Sequence, residues 1–332
     1  MRAVSYHRNG PASEVLEIGM LPDPTPGPGE VLVRVQASGI NPSDVKTRAG
    51  LRGPSPHLPV VPHNDGAGVI EAVGSGVDPA RVGSRVWLYN VNRSPDGTAQ
   101  GTIGTAAELV AVPEHLAVPL EGEASFVEGA CLGVPAMTAH RAVFCNGPVE
   151  GKTVLVTGGA GAVGFYAIQF AKWGGARVLS TVSSTEKANH ALAAGADATS
   201  DYKREDVAAR VRELTGGDGV DHIVEVDFGA NLDVSLKVLK PGGCLAPYAS
   251  MGDPKPVFDF FAFMNRNVIF RFVLVYSMDE QAMADARRDI TAMLKQNRLK
   301  HMVAATYGLD EIVAAHEAVE SGRMVGNVVV VP

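Results

Sequence analysis

Thr153-Val-Leu-Val-Thr157-Gly-Gly159-Ala-Gly161-Ala-Val-Gly164 is the stretch that decides the fold. The apolar run Thr153 to Thr157 leads directly into Gly159-x-Gly161-x-x-Gly164, and a helical pattern from Val163 to Lys172 follows. The glycine spacing alone says little, but strand, glycine turn and helix in that order say much more. One glycine permits the tight turn, the next lets backbone approach a pyrophosphate, and the third lets helix pack on strand. The helix start then offers free N–H groups and roughly half a positive charge. Gly159, Gly161 and Gly164 are therefore candidate dinucleotide-binding residues.

Downstream, strands alternate with helices. Val178–Val182 reads as a strand, then a helix runs from Thr185 to Ala194; Asp221–Val226 and Cys244–Tyr248 are further strands. Val268–Val275 reads as a last, long apolar strand and Met278–Gln296 as an amphipathic helix with Ala282, Ala286, Ile290, Met293 and Leu294 on one face. Continuous apolar strands alternating with helices predict a parallel sheet covered on both faces.

Upstream of residue 125 the texture differs. Val31–Ala37, Val69–Val73, Arg85–Leu88 and Glu108–Val112 are short β-branched runs broken by Gly and Pro, the pattern of an irregular β-rich domain. Pro22, Pro24, Pro26 and Pro28 predict a stiff extended loop ahead of Val31. The final Asn327–Val331 reads as a strand. The expected fold class is α/β: a β-rich domain from residues 1–125 and 278–332, and a doubly wound parallel sheet from residues 126–277.

Composition excludes several classes. The 332 residues are 46% hydrophobic and 20% charged, so a disordered chain is not expected. Lys and Arg number 29 against 36 Asp and Glu, a net charge of −7 with no basic block, which disfavours duplex nucleic acid and anionic membranes. Cys131, Cys145 and Cys244 are too few and too scattered for a disulfide framework or a four-thiolate zinc lobe. The first ten residues, MRAVSYHRNG, have no apolar core and do not read as a signal peptide, and no apolar run is long enough to span a bilayer. The expectation is a cytoplasmic protein of a reducing compartment.

The second strand end selects the cofactor. An NAD site places Asp or Glu there, about 20 residues past the motif. This chain has Ser180-Thr-Val-Ser183-Ser184-Thr185-Glu186-Lys187, with no acid at the tip. Glu186 is expected to complete a capping box with Ser183, and Lys187 is placed to meet a 2′-phosphate. The reading favours NADPH.

Taken in order, the motifs resemble one family. They are Gly39-Ile-Asn41-Pro-Ser-Asp44, Pro62-His-Asn-Asp65-Gly-Ala-Gly68, Gly104-Thr-Ala-Ala-Glu108, Gly133-Val-Pro-Ala-Met-Thr138-Ala, the glycine turn, Asp201-Tyr202-Lys203, Lys240-Pro-Gly-Gly243 and Gly322-Arg-Met-Val-Gly-Asn327-Val. Nearly end to end, the chain resembles the zinc-free quinone oxidoreductases, the zeta-crystallin-like branch of the medium-chain dehydrogenase/reductase superfamily. The resemblance implies a GroES-like catalytic domain split across both chain ends, a central Rossmann domain, and an active site in the cleft between them. It also implies a homodimer joined through strand Val268–Val275.

Zinc-using relatives carry Cys at the position of Asn41, His at that of Asn64, Glu at that of Asp65, and a four-Cys lobe near residues 90 to 105. Here residues 89 to 110 contain no Cys, so no metal is expected; His63 is read as a loop or substrate-pocket residue. Carried over residue by residue, the resemblance puts Asn41 and Thr138 by the nicotinamide. Gly161, Ala162 and Val163 face the pyrophosphate, and Ser183, Lys187 and Tyr202 surround the 2′-phosphate. Asn231, the backbone at Tyr248 to Ser250 and at Val273, Leu274 and Val275, and Asn327 complete the cofactor set.

The implied activity is NADPH-dependent reduction of a quinone by metal-free hydride transfer. Reduction of an enone or 2-alkenal double bond is the alternative, and an NADPH-binding protein with little catalysis is the alternative of another class. Asn41 is the first candidate donor to the developing oxyanion, with Arg52 and Lys46 behind it, and Asp44 is expected to fix the loop. Lys46 and Arg52 stand where related reductases often have Tyr, and with His57 they suggest an acceptor bearing negative charge or a polar carbonyl.

Overall fold

A computed structural model describes residues 1–94, 97 and 99–332. The chain divides into two compact units, one formed by Met1–Pro135 with Asp279–Pro332 and the other by Ala136–Met278.

The first unit is built on a mixed sheet whose strands run, in order, Val303–Gly308, Asn327–Val331, Glu30–Ile40, Asp65–Val73, Arg85–Leu88 and Ala117–Pro119, with Leu109–Pro113 also paired to Glu30–Ile40. Period-two alternation explains the long strand. Val31, Val33 and Val35 are buried against Ile70, Val86, Leu88, Val110 and Val112, Ala37 is buried on the same face, and Arg34 points out and pairs with Glu71. The strand leads directly into Asn41 and the helix Pro42–Arg48. Asn327–Val331 pairs antiparallel with the end of that strand, Val328 opposite Ile40. The predicted helix after residue 278 is Glu280–Lys295, and its five predicted apolar residues are all buried. Residues 21–27 form no regular element, as the alternating prolines dictate.

The second unit is a parallel sheet in the order Ala198–Asp201, Arg177–Val182, Thr153–Val156, Val220–Glu225, Leu239–Pro247, Ile269–Phe270. Counted along the chain, this is the doubly wound order 3-2-1-4-5-6, which reverses between Thr153–Val156 and Val220–Glu225. Leu155, Leu179, Ile223 and Leu245, one from each of four adjacent strands, pack in a single core with Val207, Val211 and Leu232.

Two local expectations are corrected. The strand predicted over Val268–Val275 pairs only at Ile269–Phe270. Its backbone continues through bonds from Arg271 N–H to the Leu245 carbonyl and from Val273 N–H to the Pro247 carbonyl, and then the partner strand ends at Pro247. Without a ladder beyond that point, Val273 and Val275 are buried and Phe272 and Leu274 face out. The cap of the helix Thr185–Ala193 is Ser184, whose Oγ accepts from Lys187 N–H at 3.3 Å, rather than Ser183 boxed with Glu186. The helix begins directly at Thr185, which leaves Ser183 to the strand end.

Candidate functional site

In the second unit the glycine turn is shaped by close contacts. Gly158 takes φ +65°, the left-handed region that favours glycine, so the tight turn falls one residue ahead of the predicted Gly159. Gly159 passes over the second strand: a Cβ there would stand 2.0 Å from Ser180 Oγ. A Cβ on Gly164 would stand 2.3 Å from the Gly158 carbonyl oxygen, so this glycine lets the helix pack on the turn. Gly161 differs, because its Cβ would meet only the Gly158 oxygen at 3.3 Å. It is the exposed N-cap of the helix Ala162–Trp173 and has no side chain to cap it. The first intrahelical bond runs from Phe165 N–H to the Gly161 carbonyl, so the N–H groups of Ala162, Val163 and Gly164 precede it as the free donors of a helix start.

Beside this turn, at the reversal of strand order, lies a cavity of about 480 Å³ lined by Thr157, Gly158, Thr181, Tyr202, Asp227 and Asn231, among others. Ligands of doubly wound sheets bind at this switch point. The cavity brings together Tyr202 and Asn231 of the predicted set. Tyr202 N–H donates to the Val182 carbonyl, which sets the Tyr202 backbone beside the strand end that carries Ser183, and its phenol is exposed. Lys187 lies half-buried in the following helix turn and has no ion pair among the described residues. Tyr248 N–H bonds the Glu225 carbonyl and Val273 N–H that of Pro247, so the predicted backbone positions line up along the carboxyl ends of the strands. Ser250 Oγ is occupied, accepting from Gly229 N–H and donating to the Asp253 carbonyl. Thr138 is buried in the helix Met137–Phe144. Asn327 belongs to the first unit, where its side-chain amide donates to the Met302 carbonyl at 3.1 Å.

Sequence reasoning missed Glu225. It is fully buried, and its Oε1 accepts from Asn231 Nδ2 at 2.7 Å, Asp227 N–H at 2.6 Å and Thr157 Oγ1 at 3.0 Å. Burial raises its carboxyl above the usual range. Its bond to the amide nitrogen orients Asn231. A lone acid at the end of the apolar run Ile223-Val-Glu225-Val was the available signal.

In the first unit, Asn41, Asp44, Asn64 and Asp65 form a buried polar cluster. Asn41 Nδ2 donates to Asp65 Oδ2 at 2.7 Å, and Val134 N–H reaches the same oxygen at 2.8 Å. Asp44 accepts from Asn41 N–H at 2.8 Å and from Asn64 Nδ2 at 2.7 Å, the loop-fixing role expected of it. Burial raises both carboxyls, Asp65 well above the ordinary range, where the Asp44 charge adds to the effect. Next to them is a chain the sequence could not show. Thr105 Oγ1 donates to the Asp65 carbonyl, Ser38 Oγ bridges Thr105 Oγ1 and His63 Nδ1 at 2.8 Å each, and His63 Nε2 meets His316 Nε2. Lys46 is half-buried on the Asn41 helix and Arg52 is exposed. Burial lowers the Lys46 ammonium, and the Arg52 charge adds to this.

A catalytic zinc does not fit the Asn41 cluster. Two of the three corresponding residues are neutral amides. The one carboxylate oxygen on the Asn41 side already accepts two hydrogen bonds, and a Cβ on Gly133 would overlap the other oxygen. Zinc takes three or four His, Cys or carboxylate ligands.

A split β-rich unit and a doubly wound unit with a glycine turn at its switch point define a two-domain dehydrogenase or reductase. The comparisons with known proteins agree. Residues 27–122 match the alcohol dehydrogenase GroES-like domain and residues 162–292 the zinc-binding dehydrogenase family. Quinone oxidoreductase of Rattus norvegicus is 30% identical over 332 residues, 98% of this chain and 96% of that protein. A 2-haloacrylate reductase of a Burkholderia species is 32% identical over 345 residues, 100% of this chain and 99% of that protein. Among solved structures, an NAD-dependent alcohol dehydrogenase superposes with a TM-score of 0.89 at 32% identity. The quinone oxidoreductase of Escherichia coli complexed with NADPH superposes with a TM-score of 0.85 at 26% identity; in both cases all of each chain is covered. The chain belongs to the quinone oxidoreductase family of the medium-chain dehydrogenase/reductase superfamily. It is an oxidoreductase, with a GroES-like domain and a Rossmann domain.

Proposed function

We propose that the protein is an NADPH-dependent quinone reductase that needs no catalytic metal. The observation that carries this reading is the Asn41 amide, fixed by buried Asp65 at the position where zinc-using relatives place a thiolate. An amide nitrogen has two hydrogens. One is given to Asp65, and the Asn41 side chain also bonds Asp44; in this reading an acceptor carbonyl takes the place of the Asp44 contact, and the amide stabilises the developing oxyanion there. When bound, NADPH supplies a hydride from nicotinamide C4. The amides of Ala162, Val163 and Gly164 hold its pyrophosphate. Ser183, Lys187 and Tyr202 take the adenosine 2′-phosphate, since no acid at the strand end repels it, and Asn231, oriented by Glu225, meets a ribose. A quinone is electrophilic without a Lewis acid, so the protein's part is to bind, orient and stabilise charge.

Reduction of an activated C=C bond is the second reading. It is favoured by the similarity to a 2-haloacrylate reductase, whose substrate is an anionic alkene, and by the neighbouring cations Lys46 and Arg52. The deciding experiment measures NADPH and NADH oxidation against quinones, 2-alkenals, 2-haloacrylates and alcohols, with and without chelator. Quinone turnover with NADPH that survives chelation supports the proposal. Turnover of alcohols alone, or loss of all activity with chelator, refutes it. Tight NADPH binding with no acceptor reduced makes the protein a binding module.

Val257, Phe258, Phe260, Phe261, Phe272 and Leu274 are all exposed in the segment around the terminal strand Ile269–Phe270. An open apolar sheet edge is a liability unless covered, so the proposal includes a homodimer joined there. A monomer by sedimentation at micromolar concentration contradicts it. The three thiols, none in a disulfide, suit a reducing cytoplasm.

A further inference from the structure

Three side chains from distant parts of the second unit converge away from the glycine turn. His222, in strand Val220–Glu225, and Cys244, in strand Leu239–Pro247, are register partners on adjacent parallel strands, so both project from one face of the sheet. Cys145 caps the helix Met137–Phe144, which packs against both strands. The two Sγ atoms and a ring nitrogen of His222 all lie within 4.8 Å of one another. Cys145 Sγ donates to the Ala142 carbonyl at 3.5 Å.

We propose that Cys145, His222 and Cys244 form a binding site for a thiophilic divalent cation, zinc in the first instance, that clamps the helix Met137–Phe144 to the sheet.

The donor set is the right one. Two thiolates and an imidazole suit zinc, which also accepts a water as fourth ligand. Zinc–sulfur bonds of about 2.3 Å and zinc–nitrogen bonds of about 2.0–2.1 Å in a tetrahedron put the ligand atoms roughly 3.5–3.8 Å apart. The side chains therefore need to draw in by only about an ångström. The imidazole is prepared for ligation. His222 Nε2 lies 2.7 Å from the Ala142 carbonyl oxygen, which can only accept, so Nε2 carries the proton. In that tautomer Nδ1 keeps its lone pair. Ligation in the proposal is therefore through Nδ1, the nitrogen the Ala142 contact leaves free, with the side chain settling so that it meets the two sulfurs. Cys145 is half-buried, which gives the ion a way in. Binding releases two thiol protons and leaves a neutral centre of one dication and two thiolates. None of these residues corresponds to a catalytic zinc ligand of the superfamily, and the site does not depend on the quinone reductase reading.

The test uses the purified full-length protein, stripped with chelator under reductant and then offered Zn²⁺ or Co²⁺. The expected results are one zinc ion per chain after gel filtration and thiolate-to-cobalt charge-transfer absorption. Zinc should also shield the Cys145 and Cys244 peptides from alkylation and raise Tm. Cys145→Ser abolishes the stoichiometric zinc and the absorption band, whereas Cys131→Ser retains both. Because the wild-type cobalt spectrum and alkylation pattern stand alone, misfolding of the Cys145 variant leaves the test decisive. Equal metal uptake by wild type and Cys145→Ser, or no charge-transfer band in the wild type, overturns the proposal. So does a Cys145–Cys244 disulfide, seen as loss of two hydrogens from the linked peptides, in protein that takes up no metal.

Discussion

His63 Nε2 lies 2.9 Å from His316 Nε2, with the two rings stacked and both residues buried although 253 positions separate them. Neither ring is charged at neutral pH. Burial lowers the His63 pKa to about 3 and that of His316 well below its ordinary value. The unfolded chain binds protons at these residues below about pH 6.5, where the native protein does not. Their contribution to stability is therefore complete above that pH and is lost on acidification toward pH 3, by up to about 1.4 kcal/mol per pH unit for each histidine. The raised carboxyls Asp44, Asp65 and Glu225 oppose this, because the native state takes up their protons first. A variant isolates the histidine term. His63 has φ +79°, which Asn tolerates, so His63→Asn is the suitable replacement. Urea unfolding should show the stability gap between wild type and His63→Asn narrowing as pH falls from 7 to 4.5. A constant gap means that the native histidines titrate normally.

Asn41→Ala leaves Asp65 Oδ2 with only the Val134 N–H. The expected cost is about 1–3 kcal/mol of stability, with kcat reduced by about a hundred- to a thousandfold through loss of the oxyanion donor. Asn41→Asp sets a second carboxyl against an already disfavoured one and should be worse in stability. Denaturation and steady-state kinetics together test this; a folded Asn41→Ala enzyme with unchanged kcat removes Asn41 from catalysis.

Two glycines of the turn should fail in different ways. Gly159→Ala puts a methyl 2.0 Å from Ser180 Oγ and 2.8 Å from Ile168 Cδ1, so it should destabilise by about 1–3 kcal/mol. Gly161→Ala meets only the Gly158 oxygen at 3.3 Å and should fold nearly as well, but it places a methyl before the free amides and weakens NADPH binding. Calorimetry and thermal unfolding of both variants separate the effects. If Gly161→Ala binds NADPH at wild-type strength, the pyrophosphate does not sit there.

Lys187→Ala should raise KM for NADPH by about tenfold or more, the loss of one charge-assisted contact of about 1.5–3 kcal/mol, with KM for NADH unchanged. Equal effects on both coenzymes assign Lys187 a role in the helix alone.

The second unit was largely legible because its signals are local. An apolar strand, a glycine turn and a helix follow one another in sequence, and the ends of Thr153–Val156, Arg177–Val182 and Ala162–Trp173 fall close to their predicted limits. Strand Asn327–Val331 was legible as a strand, but its antiparallel pairing to the distant Glu30–Ile40 carries no local mark. The polar networks were the least legible. Glu225 beneath Asn231, and Thr105, Ser38, His63 and His316 in series, join residues that only the completed fold brings together. The overlong reading of Val268–Val275 has the opposite cause: the apolar run persists there after the neighbouring strand has stopped offering hydrogen bonds.

One of the two strands flanking the end of the strand that leads to Asn41 is made of residues 327–331, so that side of the sheet beside Asn41 stays open on the ribosome until those residues emerge. The contiguous block Ala136–Met278 needs nothing from either flank of its sequence to close its own sheet. Nascent chains should thus gain a protease-resistant nucleotide-binding half before residues 327–331 are made, with the Asn41 half maturing after them.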